Sequence, residues 1–263
     1  MNFMQEDLVV IGSGPGGYAA AFRASDLGRE VLLIEKEAVL GGVCLNRGCI
    51  PSKAFLHIAK VVEDVKYLNK IGVKFNKPKI DIKEVRTHKN NIVSKLNSGI
   101  SNMAKLRNVK TIEGVACFNS NNEIQIKTKN KKIIVKFKDC IIATGSSSSL
   151  IPGLPKNSSL VLTSKTALEL QHIPEDLLII GGGIIGLELG QVYASLGSRI
   201  TVVEFLPNLI PGADPDLIKP LQRKLKTQFK DLTDNASDKI LGIASLFFFS
   251  SLPSAILTDS INA

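Results

Sequence analysis

The sequence of 263 residues contains no tryptophan, and aromatic residues make up only 5% of it. Proteins that bind single-stranded nucleic acids stack bases on aromatic side chains, so this scarcity argues against that class. Histidine is scarce as well, and none of the three histidines stands in a sequence context typical of a catalytic base. We interpret all three as structural or exposed residues: His57, His88 and His172.

Cysteine is too infrequent for the disulfide framework of a secreted protein, since the chain has only four: Cys44, Cys49, Cys117 and Cys140. The first residues lack the basic flank and the small-residue cleavage site of a signal peptide. We therefore expect a cytoplasmic protein. Cys117 and Cys140 are interpreted as small apolar residues in strands.

Acidic residues are the minority among the charged ones, and the formal net charge is +9. Such a charge is compatible with nucleic-acid binding. The lysines, however, are spread along the chain and often alternate with other residue types, as in Lys127, Lys129, Lys131 and Lys132. This distribution favours solvated faces over a nucleic-acid patch, and it would also attract anionic cofactors and substrates.

An internal repeat is the clearest organisational feature. Val9–Glu35 aligns with Leu178–Glu204 without a gap, at an offset of 169 residues. Each copy is predicted as strand, glycine-rich turn, helix and strand. The aligned glycines are Gly12, Gly14 and Gly17 in the first copy and Gly181, Gly183 and Gly186 in the second.

The spacing of these glycines is typical of dinucleotide binding. The first permits a tight turn, the second lets a pyrophosphate approach the backbone, and the third allows close packing of helix on strand. The N–H groups at the helix start then bind the diphosphate. An acidic residue about 20 positions later holds a ribose hydroxyl; here Glu35 and Glu204 each follow their first glycine by 23 residues. The sequence therefore predicts two dinucleotide sites.

A pair of cysteines stands in the segment GGVCLNRGCIPSK, Gly41–Lys53. The spacing lets the sulfurs of Cys44 and Cys49 meet near a helix start, where the helix dipole stabilises a thiolate. Pro51 is compatible with that position. Two buried cysteines or a zinc site are the alternatives, but no second Cys/His pair lies at metal spacing.

The form C-L-N-x-G-C-I-P-S-K, following the second strand of an N-terminal nucleotide fold, resembles dihydrolipoamide dehydrogenase, a member of the pyridine nucleotide–disulfide oxidoreductases. Glutathione and mercuric reductases usually differ at the position of Leu45 and often at Ile50 or Ser52. The resemblance implies that Cys44 exchanges with dihydrolipoamide and that Cys49 faces the flavin. It also implies that Lys53 lies near the flavin ring with Glu188 as its acidic partner.

The resemblance further implies FAD and NAD as cofactors and no metal. The FAD-binding residues would be Gly12, Gly14, Gly17, Glu35, Lys36, Gly42, Lys53, Gly114, Ala143, Thr144 and Gly145. The NAD-binding residues would be Gly181, Gly183, Gly186 and Glu204. The implied partners are the lipoyl domain of a 2-oxo acid dehydrogenase complex and a second copy of the chain.

The expected fold is α/β, with two Rossmann-like folds of which the second is incomplete. Residues 1–150 would bind FAD and carry the dithiol, 151–230 would form a partial NAD domain, and 231–263 a divergent hydrophobic tail. Within the first domain we expect helices over Pro51–Gly72 and Ile82–Arg107, an antiparallel meander over 109–138, a strand over Asp139–Ser146 and a linker over Ser146–Pro155.

The resemblance ends at about Lys230. We find no counterpart of the remaining NAD strands, of a second flavin-contacting Gly-Asp, or of the dimerisation domain with its catalytic His and Glu. The uncharged run Ile240–Leu257 is a marginal transmembrane candidate weakened by Pro253, and we expect an aberrant tail instead. Its FFF segment, 247–249, has no obvious core to enter, and a parallel sheet cut short predicts marginal stability.

The leading hypothesis is thus a dihydrolipoamide dehydrogenase that reduces NAD through Cys44/Cys49 and FAD. The alternatives are a truncated, catalytically inactive fragment of that enzyme, a related disulfide reductase, and a membrane-anchored binding protein.

Overall fold

A computed structural model describes residues 2–148, 154, 158–233, 255–258 and 261–262. The helices are α1 Pro15–Asp26, α2 Gly42–Arg47, α3 Cys49–Lys70, α4 Ile82–Leu106, α5 Ser164–Ala167, α6 Ile184–Leu196 and α7 Pro215–Gln228. The strands are β1 Asn2–Ile11, β2 Val31–Glu35, β3 Lys110–Glu113, β4 Val115–Ser120, β5 Glu123–Lys127, β6 Lys132–Ile142, β7 Ser147–Ser148, β8 Val161–Thr163, β9 Asp176–Ile180, β10 Arg199–Val203, β11 Asp231–Thr233, β12 Ala255–Thr258 and β13 Ile261–Asn262.

Contacts divide the chain into two compact units. The first comprises residues 1–50 and 90–146, and the second comprises 51–89 and 147–263. Almost all of helix α3 and the segment after it, as far as Lys89, therefore belong to the second unit. The assignment of residues 1–150 and 151–230 to FAD and NAD stays a prediction.

The first unit is built on a six-stranded sheet of order β3-β2-β1-β6-β5-β4. The first four strands are parallel, and β6, β5 and β4 form an antiparallel meander. The central strands are apolar on both faces, as expected of a covered parallel sheet. One face packs on α1, α2 and α4 through a cluster that includes Val10, Phe22, Leu45 and Ile100, and the other carries the buried residues of the meander.

The second unit contains a five-stranded parallel sheet of order β11-β10-β9-β12-β8. Its strands β9, β10 and β11 occupy the places that β1, β2 and β3 hold in the first sheet. Strand β12 lies beside β9 as β6 lies beside β1. The core includes Tyr193, Leu177 and Ile200, and helix α3 adds Phe55 to it.

One part of the tail belongs to the second sheet. Its residues Ile256 and Leu257 are 4% and 0% exposed in the middle of the second sheet, so this part of the tail does enter a core. A four-residue apolar strand suffices because both of its neighbours supply backbone hydrogen bonds. The rest of the predicted membrane span, 240–254, and most of the linker 146–155 lie outside the described residues. In the described ranges no helix is long and apolar enough to cross a membrane.

The helices predicted over Pro51–Gly72 and Ile82–Arg107 correspond to α3 and α4. The strands predicted over the end of the meander and over Asp139–Ser146 are one continuous strand, β6. The first strand of the region 109–138 is not part of the meander, because β3 pairs in parallel with β2.

Candidate functional site

The first glycine-rich turn admits no side chains at two of its three glycines. Gly12 has φ +97°, and a Cβ there would lie 2.2 Å from the carbonyl oxygen of Ala143. A Cβ on Gly17 would lie 1.8 Å from the oxygen of Gly12. Gly14 is the N-cap of α1, with Pro15 at the first helical position. The exposed N–H groups of this helix start are therefore presented by bare backbone, as an anionic phosphate requires.

Glu35, at the end of β2, is tied directly to this turn. Its Oε2 accepts hydrogen bonds from the backbone N–H of Ser13 at 2.9 Å and from the Ser13 hydroxyl at 2.6 Å. Its Oε1 accepts from the N–H of Glu37 at 3.0 Å. Burial raises the pKa of the Glu35 carboxyl, but the hydrogen bonds from Ser13 and from neighbouring N–H groups outweigh burial and hold the pKa below its ordinary value. The residue is therefore an ionised acceptor beside the turn.

The second copy reproduces the backbone hydrogen bonds of this arrangement. Glu204 is 7% exposed, and its carboxylate accepts from the N–H of Gly182 at 2.6 Å and of Leu206 at 2.7 Å. Gly181 has φ +107°, and Gly183 is the N-cap of α6. Gly186 is buried on that helix, as expected for the third glycine. The repeat read from the sequence is thus also a repeat of hydrogen bonds.

The dithiol segment is attached to the first turn. The N–H of Gly41 donates to the Ser13 carbonyl at 2.9 Å. Gly42 has φ +60°, and a Cβ there would lie 2.5 Å from the Cα of Gly14. Glycine is therefore needed at position 42 for the segment to sit on the turn.

The two cysteines belong to different helices. Cys44 is half-buried on α2, and Cys49 is exposed at the first position of α3. Gly48 separates the helices, and a Cβ on it would lie 3.4 Å from the Cα of Cys44. The chain thus folds back on Cys44 just before Cys49. The single bent helix start expected from the sequence is two helices with a break between them.

Lys53 lies one turn after Cys49 on α3. Its Nζ donates to Glu188 Oε1 at 2.6 Å, so the predicted pairing is present within the second unit. The Lys53 side chain is 60% exposed. An exposed pair of this kind contributes about 1 kcal/mol or less to stability, which leaves the lysine available to a ligand.

A cavity of about 580 Å³ opens beside Glu35 in the first unit. It is bounded by the loop after β2, by the face of α4 that carries Asn97 and Ser101, and by β3. The wall combines apolar surface with hydroxyl and amide groups from α4, and it adjoins the glycine-rich turn through Glu35. A heterocycle with hydrogen-bonding edges fits such a wall.

Residues 6–230 match the family model described as pyridine nucleotide-disulphide oxidoreductase. The chain belongs to this family.

Several of its relatives in this family carry one name. The dihydrolipoyl dehydrogenases of Vibrio parahaemolyticus and of Buchnera aphidicola subsp. Schizaphis graminum are 46% and 47% identical to it over 227 residues, which is 86% of this chain and 48% of each relative. The oxidoreductase chain thus spans about half the length of the curated relatives it matches.

A solved structure shows the same fold. The Cu(II) complex of the HOCl-induced flavoprotein disulfide reductase RclA from Escherichia coli superimposes with a TM-score of 0.77 at 26% identity, covering 99% of this chain and 57% of that one. The chain, with its two Rossmann-like sheets, is therefore similar in fold to this flavoprotein disulfide reductase.

The other predicted cofactor residues of the oxidoreductase chain lie around the first turn. Gly114 donates its N–H to the Glu35 carbonyl at 2.8 Å, and a Cβ there would lie 2.6 Å from the Ile126 side chain. Thr144 and Gly145 follow β6, and Gly145 has φ +69°. Lys36 is the exposed residue after Glu35.

Sequence reasoning missed Ser13, Asn46 and Asn97. Ser13 could have been found, because it stands between the first two glycines of the motif. Asn46 is a defined position of the dithiol motif, but the sequence assigned no role to it. Asn97 gave no sequence signal, since it contacts Asn46 across 51 residues.

Four of the five residues interpreted as non-catalytic are exposed. His57, His88 and His172 are all exposed. Cys117 is exposed on the edge strand β4, and Cys140 is half-buried on β6, where burial raises the pKa of its thiol. Among the described residues no group of three or more His, Cys, Asp or Glu could hold a metal ion.

Proposed function

We propose that this chain carries the nucleotide-binding and disulfide half of a dihydrolipoyl dehydrogenase, which oxidises dihydrolipoamide and reduces NAD. The observation that carries the proposal is the attachment of the dithiol segment to the first glycine-rich turn, through the Gly41–Ser13 hydrogen bond of 2.9 Å. A redox disulfide is useful beside a dinucleotide site only if the dinucleotide exchanges electrons with it, and FAD is the dinucleotide cofactor with that chemistry.

The residues of the first unit fit FAD. The turn at Gly12, Gly14 and Gly17 presents helix N–H groups to the pyrophosphate. The Glu35 carboxylate has lone pairs left for a ribose hydroxyl, and the adjoining cavity, with polar and apolar walls, would hold the adenine. Bound FAD supplies the two-electron chemistry that links the dithiol to NAD. On α3, Lys53 follows Cys49 by one turn, so a flavin held beside Cys49 would lie within reach of its ammonium group.

The cysteines perform the exchange with substrate. A thiolate of dihydrolipoamide attacks the sulfur of Cys44, the Cys44–Cys49 bond breaks, and Cys49 leaves as a thiolate. The second substrate thiol then displaces Cys44 and closes the lipoamide disulfide. Two electrons and two protons pass to the protein dithiol in this sequence. Cys49, at the first position of α3, is the leaving group.

The second unit would hold NAD. Glu204 stands in the place where a carboxylate receives the ribose hydroxyls. The same charge would repel the 2′-phosphate of NADP, which favours NAD. The proposal also includes two partners, the lipoyl domain of a 2-oxo acid dehydrogenase complex and a second copy of the chain, which rest on the resemblance. It includes a cytoplasmic location, which rests on cysteine usage.

The test combines flavin binding with turnover. The purified 263-residue chain is reconstituted with FAD, and reduction of NAD by dihydrolipoamide is followed together with the flavin spectrum. We expect bound flavin and a rate that Cys49→Ser abolishes. The matched control is Cys117→Ser, which removes an exposed thiol of the same unit and should leave the rate unchanged.

The outcomes separate the alternatives. A chain that fails to bind flavin contradicts the proposal. Flavin binding without NAD reduction would indicate that turnover depends on the part of the relatives' sequences that this chain does not match. Reduction of glutathione disulfide in place of lipoamide chemistry assigns the chain to a related reductase.

A further inference from the structure

A chain of side-chain amides links the dithiol segment to helix α4 in the first unit. Asn97 on α4 donates from Nδ2 to Asn46 Oδ1 at 2.7 Å. Asn46 in turn donates from Nδ2 to the carbonyl oxygens of Leu40 at 3.0 Å and Gly42 at 2.9 Å. Asn46 lies on α2 between Cys44 and Cys49, so these contacts act on the segment that carries the cysteines.

The amides add direction to an apolar contact. Leu45 is buried in the same core cluster as Ile100 and Ala104 of α4, which holds α2 against that helix. Apolar packing is non-directional and fixes mainly the distance between the helices. Hydrogen bonds weaken steeply when misaligned, so the bond from Asn97 to Asn46 restrains the rotation of α2 about its axis. That rotation sets where the Cys44 side chain points.

The oxygen of the Asn97 amide is unusual because it is buried and makes no hydrogen bond to the described residues. An apolar residue of similar size would avoid that loss. The useful group of asparagine at this position is therefore its donor, Nδ2. The described acceptors of Nδ2 are Asn46 Oδ1 and the Val93 carbonyl of its own helix.

We propose that Asn97 is a positioning residue: acting through Asn46, it holds helix α2 in the rotation at which Cys44 and Cys49 form their disulfide. The inference rests on the proposed function in treating these cysteines as a redox pair. Disulfide geometry is specific, and a pair held away from it is more readily reduced. Loosening α2 should thus destabilise the disulfide relative to the dithiol, with FAD bound or absent.

The measurable quantity is an exchange equilibrium. The protein dithiol and one oxidised glutathione give the Cys44–Cys49 disulfide and two reduced glutathiones, which balances atoms and electrons. We expect Asn97→Ala to lower this equilibrium constant about tenfold, equivalent to a rise of about 30 mV in reduction potential. The full chain is equilibrated in glutathione buffers, quenched and alkylated, and peptide mass spectrometry separates this pair from Cys117 and Cys140.

Helix α4 offers a matched control. Asn91 is exposed on the same helix, six residues before Asn97. Asn91→Ala should leave the constant within about twofold of wild type, because surface changes away from a specific contact have small effects. Asn97→Asp places a carboxylate oxygen opposite Asn46 Oδ1 and should lower the constant at least as much as Asn97→Ala. Asn91→Asp adds the same charge to the same helix and should not.

A double-mutant cycle with Asn46→Ala tests the route of the effect. If Asn97 acts through Asn46, adding Asn97→Ala to Asn46→Ala changes the constant no further. Independent, additive effects would overturn the inference, as would an unchanged constant in Asn97→Ala. A wild-type chain that forms no Cys44–Cys49 disulfide in any glutathione buffer would instead overturn the proposed function, and the inference with it.

Discussion

At the scale of single residues, the two nucleotide turns differ in one side chain. Ser13 of the first turn gives Glu35 both an N–H and a hydroxyl, whereas Gly182 of the second gives Glu204 an N–H alone. A Cβ on Gly182 would lie 2.5 Å from the Leu209 side chain, so a larger residue there would require that side chain to shift. The Ser13 hydroxyl therefore helps to hold the Glu35 carboxylate in its ionised form, because its hydrogen bond lowers the pKa of that group.

Ser13→Ala should weaken the first unit in a pH-dependent way. The pKa of Glu35 is lower in the folded chain than in the unfolded one, so its contribution is complete above the unfolded pKa of about 4.3 and is lost as pH falls through the folded value. Removing the hydroxyl should lower the free energy of unfolding by about 1.5–3 kcal/mol at neutral pH. Urea denaturation should show this difference shrinking below about pH 4.

Ser25→Ala is the control for that measurement. Its hydroxyl donates to the neutral carbonyl of Arg107 at 2.5 Å, in the same unit. The loss caused by Ser25→Ala should therefore not depend on the ionisation of Glu35. A Ser13→Ala effect that is equally independent of pH would show that the hydroxyl does not act through that carboxylate.

At the scale of elements, strand β12 is the part of the fold with the least sequence support. It fills the place between β9 and β8 that β6 fills beside β1, and Leu257 is fully buried there. Leu257→Ala should lower the free energy of unfolding of the second unit by about 2–5 kcal/mol. Ile71→Ala, at a position 58% exposed in the same unit, should change it by less than about 0.5 kcal/mol. Denaturation curves that show equal effects for both would mean that β12 does not complete the sheet.

The elements that could be predicted are those in which one periodicity is kept over many residues or in which a motif fixes the positions. Helices α3 and α4 extend over 22 and 25 residues with apolar spacing near 3.6, and their predicted bounds differ from the structure by no more than two residues. The two nucleotide folds were found from their glycines. Strand β12 could not be predicted, since three apolar residues and a threonine after Pro253 carry no periodicity. They form a strand because they pair with both β9 and β8. The break at Gly48 was missed because cysteine spacing alone does not distinguish one helix from two.

At the scale of the whole chain, each unit has its own core and its own nucleotide turn. The core around Tyr193 and Ile200 belongs to the second unit, and the clusters around Val10 and Val9 belong to the first. A ligand stabilises the state that binds it, by an amount that grows with the logarithm of its concentration over Kd. FAD and NADH should thus act on different sets of backbone amides.

Hydrogen exchange measured by mass spectrometry tests this division. With FAD at about 100 times its Kd, protection in the first unit should rise by up to about 2.7 kcal/mol, most clearly in β1, α1 and β2. Removing FAD by gel filtration should reverse the gain. NADH should instead protect β9, α6 and β10, and Glu204→Ala should reduce that protection without changing the response to FAD. Protection by FAD spread evenly over both turns would mean that the two glycine motifs do not divide the cofactors as proposed.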